Sequence, residues 1–164
     1  MVFDSMEQKA LEYAASRHAE LGDSLGFGVD GSVWLLHSKE RIQPWAAKLF
    51  RADKPYFRER DCYLRLCEVH LESVRGFAVP AYLHHDDGWL VVEMTIVRPP
   101  YLLDFAGALL DEPFDFQEEA WEAWEMDRME KFEDRWPEVK KVMRELECHG
   151  IFLSDLHPGN IAFE

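Results

Sequence analysis

Three stretches of this chain carry residue types that could do chemistry. The first is "HGIFLSDLHPGNI", residues 149 to 161, where Asp155 and Asn160 stand five apart in a loop shaped by Pro158 and Gly159. A carboxylate can accept a proton from a hydroxyl, and an amide oxygen is a hard ligand suited to Mg2+. Asp and Asn are also ordinary turn residues. A helix ending at Gly150 and the apolar "IAF" behind the loop favour chemistry over a plain turn. The second stretch is "WAAKLF", residues 45 to 50. A strand alternates its faces, so Ala46 and Lys48 point one way and Ala47 and Leu49 the other. Ala46 leaves room for a flat ring beside an amine that can reach phosphate oxygens. The third is "LGFGVDGSV", residues 25 to 33, with glycines at 26, 28 and 31. In a dinucleotide fold the third such glycine opens a helix. Here "SVWLLHS" follows, β-branched and apolar without a helical period, so the glycines belong to a strand-turn-strand. A flap of backbone N–H groups over phosphates is the functional reading, and a tight turn the plain one.

A lysine facing into a cleft needs a carboxylate to hold its direction. The helix "YFRERDCYLRLCE" offers Glu59, Asp61 and Glu68. Glu59 is preferred because Leu64 and Leu66 can pack behind it, with Glu68 second. Each could instead make a surface ion pair worth at most ~1 kcal/mol.

The elements that must position these groups follow from pattern and punctuation. Residues 5 to 20 are expected as a helix with a Ser5–Gln8 capping box, stopped by Gly22. Glycines and serines around "VWLL" and "WAAKLF" predict a hairpin and a third strand ending near Phe50. Residues 55 to 72 read as a helix with Pro55 near its start. "VPAYLHH" and "WLVVEMTIV" flank "DDG" as a second hairpin. "VRPPYLL" breaks the pattern and is the candidate hinge, dividing the chain into residues 1–98 and 99–164. From Phe116, Trp121, Trp124, Met129, Phe132 and Trp136 fall on one helical arc, expected as core. Pro137 starts a second helix with Val139, Val142, Met143 and Leu146 as its stripe, ended by Gly150. The fold class is α+β: a five-stranded antiparallel sheet with one inserted helix, then a reduced helical half.

The 164 residues carry a formal charge of −14, which argues against general nucleic-acid binding and against docking on anionic lipid. Residues 111 to 138 hold twelve acids and three bases, a net of −9, expected as a solvated helix face. Cys62, Cys67 and Cys148 form no metal-ligand spacing, and an odd count suggests a reducing compartment. The N-terminus lacks the pattern of a signal peptide, and no apolar run is long enough to span a bilayer. A soluble cytoplasmic protein is expected.

The three motifs, in this order, resemble the protein-kinase-like superfamily. Leu25 to Val33 is similar to its glycine loop, Trp45-Ala46-Ala47-Lys48 to its strand-three lysine element, and Ser154 to Asn160 to its catalytic loop. The His157-Pro158-Gly159 wording is closest to the atypical and aminoglycoside-phosphotransferase-like branches. The resemblance implies ATP and Mg2+ as cofactors and a hydroxyl acceptor, protein or small molecule. Gly26, Gly28 and Gly31 would wrap the phosphates, Val33 and Ala46 would flank the adenine, and Lys48 would hold the α and β phosphates, steadied by Glu59. Glu93 and Met94 would lie in the adenine hinge, Asp155 would deprotonate the acceptor, and Asn160 would bind Mg2+. Two departures stand out. Leu153 replaces the usual catalytic-loop histidine. The Asp-Phe-Gly element, whose aspartate is the main Mg2+ ligand, is expected beyond Asn160, and the chain ends at Glu164. The alternative is therefore an inactive kinase-like module that binds nucleotide or a partner, or a piece of a longer enzyme. A shortened helical half is expected to bare apolar surface, to be covered by a second copy or another protein.

Overall fold

The computed structural model describes residues 5–164. The chain is a mixed α+β fold around a five-stranded antiparallel sheet. Helix α1 (Ser5–Ser16) leads into β1 (Glu20–Phe27), β2 (Gly31–His37) and β3 (Trp45–Phe50). Helix α2 (Asp53–Glu68) is followed by the short β4 (Ser73–Val74) and β5 (Phe77–Ala78), then the hairpin β6 (Tyr82–Asp86) and β7 (Val91–Met94). The sheet order is β1-β2-β3-β7-β6. Its central strands β3 and β7 are buried at every position and are apolar except for Lys48 and Glu93, the buried charges they carry.

Alternation on β3 divides the interior in two. Ala47 and Leu49 join Trp34, Trp45 and Val91 under α1. Ala46 and Phe50 face the other way, into a larger cluster with α2 and the C-terminal half. That cluster crosses the 98/99 boundary without a break, running from Val92 and Met94 to Leu102, Leu146 and Ile161.

After the cis Pro99–Pro100 bond come β8 (Tyr101–Leu102) and β9 (Ala108–Leu110), then α3 (Glu118–Phe132) and a 3-10 turn (Glu133–Arg135). Helix α4 (Trp136–Cys148), β10 (Ile151–Leu153) and β11 (Ile161–Ala162) complete the order. Residues 101–110 lie antiparallel to 151–162 as an interrupted ribbon. Tyr101 and Leu102 pair with Ala162 and Ile161, and Ala108 and Leu110 pair with Leu153 and Ile151. Between the paired ends, residues 103–107 and 154–160 bulge as two facing loops.

Several sequence expectations shift. The first helix stops at Ser16, with His18 in the left-handed region, and Gly22 lies inside β1 instead of ending the helix. Gln8 donates its amide to Glu12. The second helix covers 53–68, and His70 (φ 53°) lies just beyond it. The aromatic arc of α3 is only partly core. Phe132 and Trp136 are buried, whereas Trp121 is 43% and Met129 52% exposed. Leu64, expected behind Glu59, is exposed, while Leu66 is buried. Helical spacing fixes which residues share a face, but not how much of that face finds cover.

Candidate functional site

Lys48 arrives on β3, its amine turned toward α2. There its Nζ donates to Glu59 Oε2 at 2.6 Å and to Asp104 Oδ1 at 3.1 Å. Glu59 sits on the buried stripe of α2 with Tyr56, Cys62, Tyr63 and Leu66. Asp61 instead pairs with Arg60, and Glu68 lies 3.9 Å from Arg65. Burial works against the charge on Lys48, but Glu59 and Asp104 outweigh it and hold the amine above its ordinary pKa. Burial pushes the Glu59 carboxyl up, against the pull of the Lys48 ammonium. Burial also opposes ionisation of Asp104, yet Lys48 and the Ala106 N–H keep its carboxyl below the usual range.

Asp104 is absent from the sequence reading. It lies in the first facing loop, in the left-handed region at φ 66°, within "LDFAG". The loops touch. Leu103 N–H donates to the Asn160 carbonyl at 2.7 Å, and a Cβ added at Gly107 would lie 3.2 Å from that of Asp155. Asp104, Asp155 and Asn160 line one small hollow with Gly107, Leu153 and Leu156. Asp30, from the glycine turn, also lines it. The Asp-Phe pair followed by Gly107 was the available signal. Its distance in sequence from Asp155 hid it.

In the second loop Asp155 is exposed and Asn160 buried. Asn160 Oδ1 accepts from the His157 N–H at 3.0 Å, and its Nδ2 donates to the Asp155 carbonyl at 3.3 Å. The amide thus fixes the loop across Pro158–Gly159. Trp124 Nε1 and Arg128 Nη2, both from α3, converge on the Ser154 carbonyl at 2.8 and 3.3 Å.

The glycine turn joins β1 to β2, with Gly28 N–H on the Gly31 carbonyl and Arg51 N–H on the Asp30 carbonyl, each 2.9 Å. Gly26 and Gly28 face open space, whereas a Cβ at Gly31 would strike the Leu49 backbone. Gly31 is thus demanded by the sheet. Val33 is half-buried and registers with Lys48, and Ala46 registers with Met94. The Met94 sulfur accepts from Tyr63. Glu93 points to the opposite face, where Tyr13 and Arg17 bond its carboxylate at 2.8 and 2.9 Å. That carboxylate anchors α1 and is turned away from the Lys48 side.

Among the described residues no group of three His, Cys, Asp or Glu is arranged to hold a metal by itself. Mg2+ does not require one. It commonly takes one or two carboxylates together with substrate phosphates and water. Asp104 and Asp155, with the Asn160 amide oxygen, are hard oxygen donors of that kind. No protein-family model, no curated protein and no solved structure matches the chain.

Proposed function

We propose that the chain is a kinase-like, ATP-binding phosphotransferase whose metal-binding aspartate is Asp104, supplied from before the catalytic loop. The observation that carries this reading is the ribbon of residues 101–110 against 151–162, which sets Asp104 opposite the Asp155–Asn160 loop while Lys48 bonds Asp104 and Glu59. The sheet, the inserted helix with Glu59 and the glycine turn are the parts a kinase-like reading requires, and the aspartate expected beyond residue 164 has a counterpart at 104.

The roles follow from charge and position. Lys48 remains protonated between two carboxylates and is placed to meet phosphate oxygens. Gly26 and Gly28 leave room for phosphates near backbone N–H groups. Asp155, exposed at the loop's edge, takes the proton of an acceptor hydroxyl. Asp30, Asp104 and Asp155 make the hollow electronegative, so a triphosphate needs a counter-cation there. Bound Mg2+ would supply neutralisation of phosphate charge, held by Asp104 and Asn160. Asp30 lines the same hollow, so the glycine turn stands beside the proposed phosphate site. Lys48 is already bonded to Glu59 and Asp104, which favours the second reading, an inactive module that binds nucleotide or a partner protein.

Turnover of labelled ATP tests the proposal. Phosphotransfer that disappears in Asp155→Ala and Asp104→Asn supports the enzyme. Mg2+-independent ATP stabilisation without turnover supports the inactive module. Neither binding nor turnover would overturn both.

A further inference from the structure

A second hollow lies on the far side of Leu153, which lines both. Phe114, Phe116, Trp121, Trp124, Met143 and Phe152 wall it, and Glu147 is its one charged lining residue. The rings form a continuous ladder. Phe114 stacks on Phe116 and Trp121 on Trp124, at centroid distances of 5.8 and 5.0 Å, with Phe116 tilted against Trp121 between them. Helix α3 covers only one flank. It packs through Trp124, Arg128 and Phe132, leaving Trp121, Met126 and Met129 exposed at 43%, 70% and 52%.

Acids predominate around this apolar strip, although Arg128 lies 5.5 Å over the Trp124 ring and Lys140 pairs with Glu125 at 3.4 Å. Glu118 precedes Trp121 by three residues and Glu125 follows by four, so both share its face, with Glu122 beside them. Among the described residues, Asp115, Glu118, Glu122 and Glu147 have no cationic partner. An acidic rim around an aromatic strip fits a ligand that is apolar on one face and cationic at its edges. A second copy meeting the strip by two-fold symmetry would set acid against acid, and an anionic lipid surface would be repelled.

We propose that this groove and the outer face of α3 form a docking surface for a basic amphipathic segment of a partner protein. The partner's apolar side chains enter between Phe116, Trp121 and Phe152, and its Lys and Arg residues pair with Glu118, Glu122 and Glu147. Trp124 and Arg128 carry the surface's position to the Ser154 carbonyl, one residue from Asp155. The docking claim does not depend on phosphotransfer.

The test uses fluorescence anisotropy of short labelled helical peptides and the full chain. A Lys/Leu amphipathic peptide is expected to bind, more weakly as salt rises. A Glu/Leu peptide of the same pattern and a Lys/Ser peptide of the same charge are expected not to bind. Trp121→Ala, and the exposed pair Glu118→Lys with Glu122→Lys, should each weaken the Lys/Leu peptide about tenfold or more, with circular dichroism and thermal midpoint unchanged in the charge variant. No binding of the Lys/Leu peptide, equal binding of either control peptide, or binding undiminished in both variants would overturn the proposal. Self-association of the chain that Trp121→Ala abolishes would give the groove to a second copy and overturn it as well.

Discussion

A methyl group added at Gly31 has nowhere to go, because the Leu49 carbonyl occupies its place. Gly31→Ala must push β2 off β3 and should cost about 1–3 kcal/mol in urea unfolding. Gly26→Ala and Gly28→Ala meet open space and should leave stability within about 0.5 kcal/mol while weakening ATP. Equal destabilisation by all three would mean the glycines serve only the turn. Lys48→Ala leaves Glu59 buried against an empty site and should cost about 3–5 kcal/mol. Asp104 gives a pH signature. Its folded pKa is lowered, so its contribution to stability is complete above the unfolded carboxylate value of about 3.9 and fades as pH falls through the lower folded value. Asp104→Asn should therefore flatten the acid limb of the stability curve below about pH 4. An unchanged limb would remove the Lys48–Asp104 pairing from the account. The sequence offers Glu59, Asp61 and Glu68 to Lys48 and prefers Glu59; the structure pairs Lys48 with Glu59, although only Leu66 of the two leucines expected behind it is buried. Asp104 was not readable, because its partner Asp155 is remote in sequence and only ribbon pairing joins them.

At the scale of elements, the well-read pieces were those with a period. Strands β2, β3, β6 and β7 and helices α2 and α4 show alternation, apolar runs or helical stripes long enough to recognise. Strands β8 to β11 have two or three residues each, too few for any period, although their pairing sets the two loops face to face. The hinge region was marked by Pro99 and Pro100, but the core running through it was not, since burial there depends on α4 and β11. Helix α1 illustrates a similar limit. It ends at Ser16 because His18 takes the left-handed conformation and the Ala19 N–H closes back on the Ala14 carbonyl, a cap made without a glycine, and Glu93 on β7 ties the helix to the sheet. Glu93→Ala strips Tyr13 of its buried partner and should cost about 1–3 kcal/mol. A thermal midpoint unmoved by that change would show that α1 rests on its apolar face alone.

Over the whole molecule, the charge is divided between two uses. At the small hollow, Asp30, Asp104 and Asp155 stand near one lysine, so the proposed anionic ligand would need a cation with it. Along α3, acids predominate around exposed aromatic and methionine side chains, where the proposed basic partner would supply the balance. No helix of the described residues is long and apolar enough to cross a membrane, and all three cysteines are free. Composition conveyed the acidity but not its division, because sequence spacing does not tell which carboxylates lack a partner.

The most direct test of the central claim, that Lys48, Asp104 and the Asp155–Asn160 loop form one nucleotide–metal site, is the thermal midpoint with ATP, with and without Mg2+, in the wild-type chain and in Asp104→Asn. The account expects Mg2+ to enlarge the ATP-induced rise in the wild type and to add little in the variant. No rise with ATP in the wild type, or the same Mg2+-dependent rise in Asp104→Asn, would contradict it.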